Sequence, residues 1–238
     1  MKDILTQGFS EMGAAVPDGA VDTLCRYAQL LLEQNQVMNL TAIVEPEEVA
    51  RLHFLDSAAV TLWKGSGWLA GKRVLDVGTG AGFPGVVLKT LEPSISLTLL
   101  DSLGKRVRWL ERVCGELGLG DISCLHARAE EQAWEAGFRD GFDVVTSRAV
   151  APFSLLCELC LPYVKPGGVF LAMKSVESGE EVRAGEKAVK HLGGKLLPGF
   201  DYSIPGTEII HRLVAAEKVL PTPKGFPRKW AKIKKEPL

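Results

Sequence analysis

The sequence predicts a doubly wound α/β fold: a mostly parallel sheet with an antiparallel edge hairpin, preceded by an N-terminal helical extension. Three observations predict it. From residue 73 onward, short apolar runs alternate with segments of helical period, which implies a parallel sheet covered on both faces. The first run, Arg73-Val74-Leu75-Asp76-Val77, leads into Gly78-Thr79-Gly80-Ala81-Gly82 and then a helical pattern, the strand–glycine–helix order of nucleotide-binding folds. The first third of the chain carries helical spacing alone.

In chain order, Val21, Leu24, Cys25, Ala28, Leu31 and Leu32 recur at helical spacing between Asp18 and Gln36. Asn39 and Thr41 interrupt them. A further helix starts at Pro46, a residue suited to a first turn, with Glu47 and Glu48 favourably placed on the helix dipole, and runs to about Leu62. Lys64-Gly65-Ser66-Gly67 breaks the period, which places a junction there: a helical extension over 1–66 and the main domain over 67–238. Strands follow at 73–77, 96–101, 122–125 and 142–147, with helices from about Pro84 to Leu91, Leu103 to Leu117 and Leu155 to Tyr163. Pro166-Gly167-Gly168 leads into a strand over 169–173. Lys195 to Ser203 and Arg212 to Val219 read as two strands joined by a turn at Pro205-Gly206, the edge hairpin.

Composition bounds the function class. Of 238 residues, 46% are hydrophobic and 24% charged, an ordinary globular balance with material for one large core. The net charge of -1 conceals a segregated end: Lys218 to Leu238 holds seven Lys/Arg and one acid, Glu236. Five cysteines without regular spacing, and no signal peptide, predict a reducing, cytoplasmic setting. The CxxC of Cys157 and Cys160 has no second pair and sits among leucines, so it reads as core, and His126, His191 and His211 have no ligand spacing; no metal is expected. No apolar run approaches ~20 residues, so no membrane span is expected. Balanced charge without a coiled-coil pattern predicts a monomer.

The glycine loop alone is ambiguous. Gly80-Ala81-Gly82-Phe83-Pro84-Gly85 satisfies the dinucleotide GxGxxG, and Gly78-Thr79-Gly80-Ala81-Gly82 equally satisfies the GxGxG of methyltransferases. Context separates them. Asp76, just upstream, suits the cationic amino acid end of S-adenosylmethionine and offers nothing to a pyrophosphate; its structural alternative is a turn-capping acid. Asp101 ends the second strand, where a carboxylate can accept two bonds from ribose hydroxyls of either cofactor. Ala129-Glu130, after the third strand, stands where methyltransferases border the adenine.

What is absent narrows the chemistry. Ser147-Arg148-Ala149-Val150-Ala151-Pro152 closes the fourth strand, at the carboxyl edge where such sheets bind ligands. It lacks the Asp/Asn-Pro-Pro-aromatic run of enzymes that methylate exocyclic amines, and it has no cysteine nucleophile for pyrimidine C5. Direct attack by a lone pair remains, which needs alignment more than acid–base help. Arg148 is the unusual residue: either a salt bridge, or a planar donor fork at the cofactor or a base edge. A cation beside a sulfonium is unhelpful unless paired, so a carboxylate or carbonyl partner is expected. Methyl transfer to a small molecule or protein, or nicotinamide-dependent redox chemistry, are the competing readings.

Asn39-Leu40-Thr41-Ala42-Ile43, His53-Phe54-Leu55-Asp56-Ser57, Asp76 through Gly85 and Ser147-Arg148-Ala149 resemble, in that order, the bacterial 16S ribosomal RNA guanine-N7 methyltransferase G family, also called the glucose-inhibited division protein B family. The basic tail is similar too, though Ala231 stands where that family commonly has glycine. The resemblance implies a class I (Rossmann-like) methyltransferase domain, S-adenosyl-L-methionine as cofactor, and as substrate a guanine of the 530 loop in 16S ribosomal RNA, free or in the small subunit. It implies cofactor contacts at Gly78, Phe83, Ala129, Glu130 and Arg148, to which the spacing adds Gly80 and Asp101. Guanine N7 bears no proton at neutral pH, so no general base is expected. Lys174, His53 and Arg228 are the candidate substrate contacts; His53 and Asp56, at i and i+3 on one helical face, are equally readable as bonded to each other. Lys224, Arg228, Lys229, Lys232, Lys234 and Lys235, with Trp230 among them, suit phosphates and a stacked base, or else a solvated terminus.

Overall fold

The computed structural model describes residues 1–148 and 151–238; Ala149 and Val150, part of the segment closing the fourth predicted strand, lie outside the described residues. The strands are β1 (Arg73–Val77), β2 (Ser96–Asp101), β3 (Ile122–His126), β4 (Phe142–Arg148), β5 (Val164–Ser175), β6 (Gly194–Leu196), β7 (Phe200–Ser203) and β8 (Ile210–Lys218). They form one sheet ordered β3-β2-β1-β4-β5-β8-β6, with β7 also paired to β8. The pairs from β3 through β5 are parallel, and β8 runs antiparallel to β5, β6 and β7.

Each parallel strand feeds both faces because side chains alternate. Val74 and Val144 enter one core, while Leu75, Val77 and Val145 enter the other. The first core is covered by α1 (Lys2–Met12), α2 (Ala20–Met38), a continuous helical segment α3 over 46–62, α4 (Gly85–Leu91) and α5 (Gly104–Glu116); Leu5, Phe9, Leu24, Tyr27 and Phe54 pack there with Val86, Trp109 and Leu110. The second core is covered by the short α6 (Ala129–Gln132), α7 (Phe153–Cys160), α8 (Gly179–His191) and the C-terminal α9 (Trp230–Lys235). Cys157 and Cys160 are fully buried in it.

Two elements differ from the reading above. Pro166-Gly167-Gly168 belongs to β5 instead of preceding it: the register against β4 shifts between Phe142 and Val144, and Gly167 takes φ 85° to accommodate the bulge. The stretch 195–203 is two short strands because Pro198, between them, has no N–H to give the ladder. Both pair with β8, which slots between them and β5. Within α3, residues Val49–Leu55 are wound as a π-helix, a form that concentrates at functional sites. Strand order reverses at β1, whose neighbours are β2 and β4, so the ligand crevice falls at the carboxyl ends of these three strands.

Candidate functional site

The glycine loop is tied from beneath. Asp76 is fully buried. Its Oδ2 accepts the Thr79 hydroxyl at 2.7 Å and the Gly85 N–H at 3.0 Å, and its Oδ1 accepts the Thr146 hydroxyl at 3.3 Å. Burial pushes this carboxyl up to about 6, against the lowering effect of those donors and of Arg148. It braces both ends of the loop and does not line the cleft above it, so the capping alternative describes its position. The Gly78 and Thr79 N–H groups donate to the Leu100 carbonyl at 2.8 and 3.1 Å, which folds the loop back over β2.

The cleft, of about 390 Å³, is lined by Gly78, Thr79, Gly80, Ala81 and Phe83 of the loop, by Asp101 at the end of β2 with Ser102 and Arg106 beyond it, by Arg148, by Leu40 and Thr41 between α2 and α3, and by His53 of α3. Its volume lies in the range of small-molecule sites, roughly 300–1,000 Å³. A Cβ placed on Gly80 would meet nothing nearer than the Gly78 carbonyl at 3.9 Å, so the loop offers bare backbone to a ligand. Asp101 receives the Gly80 N–H at 2.9 Å and the Leu103 N–H at 2.8 Å, one on each carboxylate oxygen. Each oxygen keeps a lone pair for a hydroxyl donor in the cleft. These features fit a nucleoside with vicinal hydroxyls lying against the loop.

Opposite the loop, Arg148 is the hub of a network that joins β4, α3 and the edge strands. Its Nη1 donates to Asp56 Oδ2 at 3.1 Å and to the Leu52 carbonyl at 3.0 Å; its Nη2 donates to His53 Nδ1 at 2.9 Å. The guanidinium also lies 4.9 Å from the centroid of the Phe83 ring. A guanidinium only donates, so His53 Nδ1 is the acceptor and Nε2 carries the proton, which goes to the Thr41 hydroxyl at 2.8 Å. Burial, with Arg148 adjacent, lowers the His53 pKa to about 3. The neutral imidazole stacks on Phe83 at 4.5 Å. Asp56 Oδ1 takes the Tyr202 hydroxyl at 2.7 Å and His211 Nδ1 at 2.8 Å. Burial works to raise the Asp56 pKa, but the bond from His211, the Arg148 charge and the Tyr202 hydroxyl outweigh it and hold it below the usual value. Arg148 is thus a salt bridge and a cleft residue at once, and His53 and Asp56 meet through it.

Among the cofactor candidates, the structure brings Gly78, Gly80, Phe83, Asp101 and Arg148 to one cleft, with His53. Ala129 and Glu130 stand outside its lining, at the start of α6; Glu130 accepts from Arg128 Nε at 3.0 Å, and the Ala129 carbonyl accepts the Tyr163 hydroxyl at 2.5 Å. Lys174 is turned to Glu181 Oε1 and the Ala151 carbonyl, both at 2.8 Å. Arg228 grips the fully buried Glu158 with Nε and Nη2, at 2.8 and 2.6 Å, and anchors the tail. Neither cation lines the cleft, since each has a carboxylate partner elsewhere in the fold. Sequence reading missed Arg106, Ser102, Tyr202 and His211. Thr41 stood in a quoted motif without a role; its backbone N–H and carbonyl are both clasped by the Asn35 side chain at 2.9 Å.

Comparison with known proteins yields a family and a fold. A family model described as rRNA small subunit methyltransferase G matches residues 20–198. The chain is 43% identical to ribosomal RNA small subunit methyltransferase G of Alkaliphilus oremlandii, over 100% of this chain and 99% of that protein. It is 46% identical to the protein of the same name from Lachnoclostridium phytofermentans, over 98% and 95%. Among solved structures, a SAM-dependent methyltransferase from Aquifex aeolicus superposes with a TM-score of 0.53 at 17% identity, over 72% of this chain and 93% of that one. Aeropyrum pernix fibrillarin with bound S-adenosyl-L-methionine gives 0.53 at 14%, over 68% and 73%. These two similarities establish a shared fold.

Proposed function

This chain belongs to the rRNA small subunit methyltransferase G family, and from that premise we propose that it transfers a methyl group from S-adenosyl-L-methionine to N7 of a guanine in the 530 loop of 16S ribosomal RNA. The observation that carries the proposal is the convergence, in one cleft, of the bare glycine loop, the Asp101 carboxylate and the Arg148 fork with its Asp56 partner. Gly78 and Gly80 receive the amino acid part of the cofactor, Asp101 holds its ribose hydroxyls, and Phe83 packs against it. Ala129 and Glu130, after the neighbouring strand, border the adenine. When bound, the cofactor supplies a methyl carbon made electrophilic by its sulfonium.

The chain's own residues then have to align a nucleophile and exclude alternatives. Arg148 is tolerable near a positive sulfonium because Asp56 offsets it at 3.1 Å. Its donor fork suits the O6 edge of a guanine, adjacent to N7. His53 is neutral, with its Nδ1 lone pair taken by Arg148 and its N–H given to Thr41. Asp56 accepts three donors and, like His211, stands outside the cleft lining, and Asp76 is directed into the loop. His53, the imidazole that lines the cleft, has no lone pair left to remove a proton from an exocyclic amine, and guanine N7 needs none removed. The helical extension over 1–66 supplies the wall of the cleft that faces the RNA, and the domain over 67–238 supplies the cofactor wall. The enzyme works as a cytoplasmic monomer on 16S ribosomal RNA, free or within the small subunit.

Incubation with labelled S-adenosyl-L-methionine and either deproteinised 16S ribosomal RNA or intact small subunits tests this reading. Label is expected in guanine of at least one preparation. Absence of label from both would sink it.

A further inference from the structure

Charge is distributed unevenly along the chain. Residues 224–235 hold six cations and no acid, while the rest of the chain carries 22 cations against 29 acids. An acidic molecule therefore presents one concentrated basic segment. That segment is built into the fold. Glu158, fully buried, receives the Arg228 guanidinium bidentately and the Arg228 N–H at 2.8 Å. Arg139 donates to the carbonyls of Thr222, Pro223 and Phe226. Ile233 is fully buried in the second core, which seats α9 and leaves Lys232, Lys234 and Lys235 exposed.

Between this segment and α6 lies a groove of about 700 Å³, with Trp134 and Trp230 in its walls and Lys229 at its rim. Trp134 is 49% exposed. Its indole N–H is given to the Pro227 carbonyl at 3.2 Å, and Arg139 lies 4.7 Å from the ring centroid. The ring is thus fixed in place, with a cation near it and much of its surface free. The groove's acids, Glu130 and Glu131, are both paired with Arg128. The groove opens after β3, whose His126 is in register with Asp101 of the cleft. Trp230 of the groove wall begins α9, so the exposed Lys232, Lys234 and Lys235 continue from the groove beyond Lys229. Fixed aromatic surface followed by lysines is the combination that single-stranded nucleic acid recognises: stacking for a base, ammonium groups for the flanking phosphates.

We propose that this groove is a second RNA contact, where an unpaired nucleotide of the substrate stacks on Trp134 while its flanking phosphates lie on Lys229 and the lysines of α9. The identity of the RNA as substrate rests on the function proposed above; the groove's affinity for single-stranded RNA does not.

The test is anisotropy of a fluorescein-labelled oligouridylate with the full chain across a salt series, comparing wild type with Lys232→Gln/Lys234→Gln/Lys235→Gln and with Trp134→Leu. The triple variant changes only exposed side chains and keeps Ile233. Its log–log salt slope should fall by about 2 and its affinity by tenfold or more. Trp134→Leu should lose about tenfold with little change in slope. Thermal shift with S-adenosylhomocysteine should match wild type in both, because neither Trp134 nor the α9 lysines line the cofactor cleft. Unchanged RNA affinity and slope in the triple variant would overturn the proposal. So would binding by those lysines to phosphatidylserine vesicles with none to the RNA. Groove-dependent RNA binding without methyl transfer would leave this inference standing and remove the function proposed above; methyl transfer with unaltered RNA binding in the variants would do the reverse.

Discussion

Arg148 bears on both the stability and the chemistry of the site. Arg148→Ala removes a donor from the cleft and leaves Asp56, almost completely buried, without its permanently charged partner. Breaking such a pair costs about 3 kcal/mol, and losing a preorganised donor costs about a hundredfold in rate. Arg148→Lys should recover part of the stability and little of the rate, because one ammonium cannot reach Asp56, the Leu52 carbonyl and His53 together. Urea unfolding beside single-turnover methyl transfer reads both. Rate loss no greater than the loss of folded protein would make Arg148 a strut alone. Acid stability involves two further residues of opposite sense. His53, at about 3 by burial and by Arg148, stays neutral when folded. Its contribution is complete above about pH 6.5 and is lost as pH falls toward 3. Asp76, raised by burial to about 6, contributes fully below its ordinary value near 3.8 and loses that contribution as pH rises through 6. Between about pH 6 and pH 4 the two slopes oppose. Asp76→Asn keeps an acceptor for Thr79 and Gly85 but removes one slope. It should therefore lose roughly 2 kcal/mol more than wild type over that interval; parallel profiles would refute the assignment.

At the scale of elements, the loop between β1 and α4 divides its glycines between two tasks. Gly82, at φ 97°, sits where a Cβ would stand 2.5 Å from the Tyr27 hydroxyl oxygen and 2.7 Å from Val86 Cγ2; the Tyr27 hydroxyl also donates to the Ala81 carbonyl, pinning α2 to the loop. Gly82→Ala combines left-handed strain with overpacking and should cost upward of about 3 kcal/mol. Gly80, at φ 60°, faces open cleft. Gly80→Ala should cost only about 1–2 kcal/mol of stability while weakening S-adenosylhomocysteine binding about tenfold, because its methyl stands where the ligand must touch backbone. Calorimetric titration beside thermal unfolding checks both, and unaltered affinity in Gly80→Ala would remove the loop from the binding surface.

At the scale of the whole molecule, the parallel strands were legible because each carries a short apolar run, and β2 and β4 close theirs with the polar Asp101 and Arg148. Elements with weak periodicity were not. In α1, Gly8 packs its bare backbone against Leu55, so a glycine stands where a helical stripe would show an apolar side chain. In α8 the buried positions are Gly185, Ala188 and Val189, too small to mark a face among charges. The tail helix depends on Arg228 and Glu158, 70 residues apart, and no local pattern reports such a partner. For the same reason the carboxylate expected beside Arg148 could not be identified as Asp56, nor Tyr202 and His211 as the residues that hold it: they come from the extension and from opposite sides of the edge turn, and only the completed fold assembles them. Methyl transfer to one ring nitrogen of one RNA is tested most directly by mass mapping of 16S ribosomal RNA made with and without the enzyme, combined with borohydride–aniline cleavage, which cuts at N7-methylguanine. The expected result is a single methyl on a guanine of the 530 loop that becomes cleavable only when the enzyme is present. A methyl on an exocyclic amine or at another site, or identical maps from the two RNAs, would contradict it.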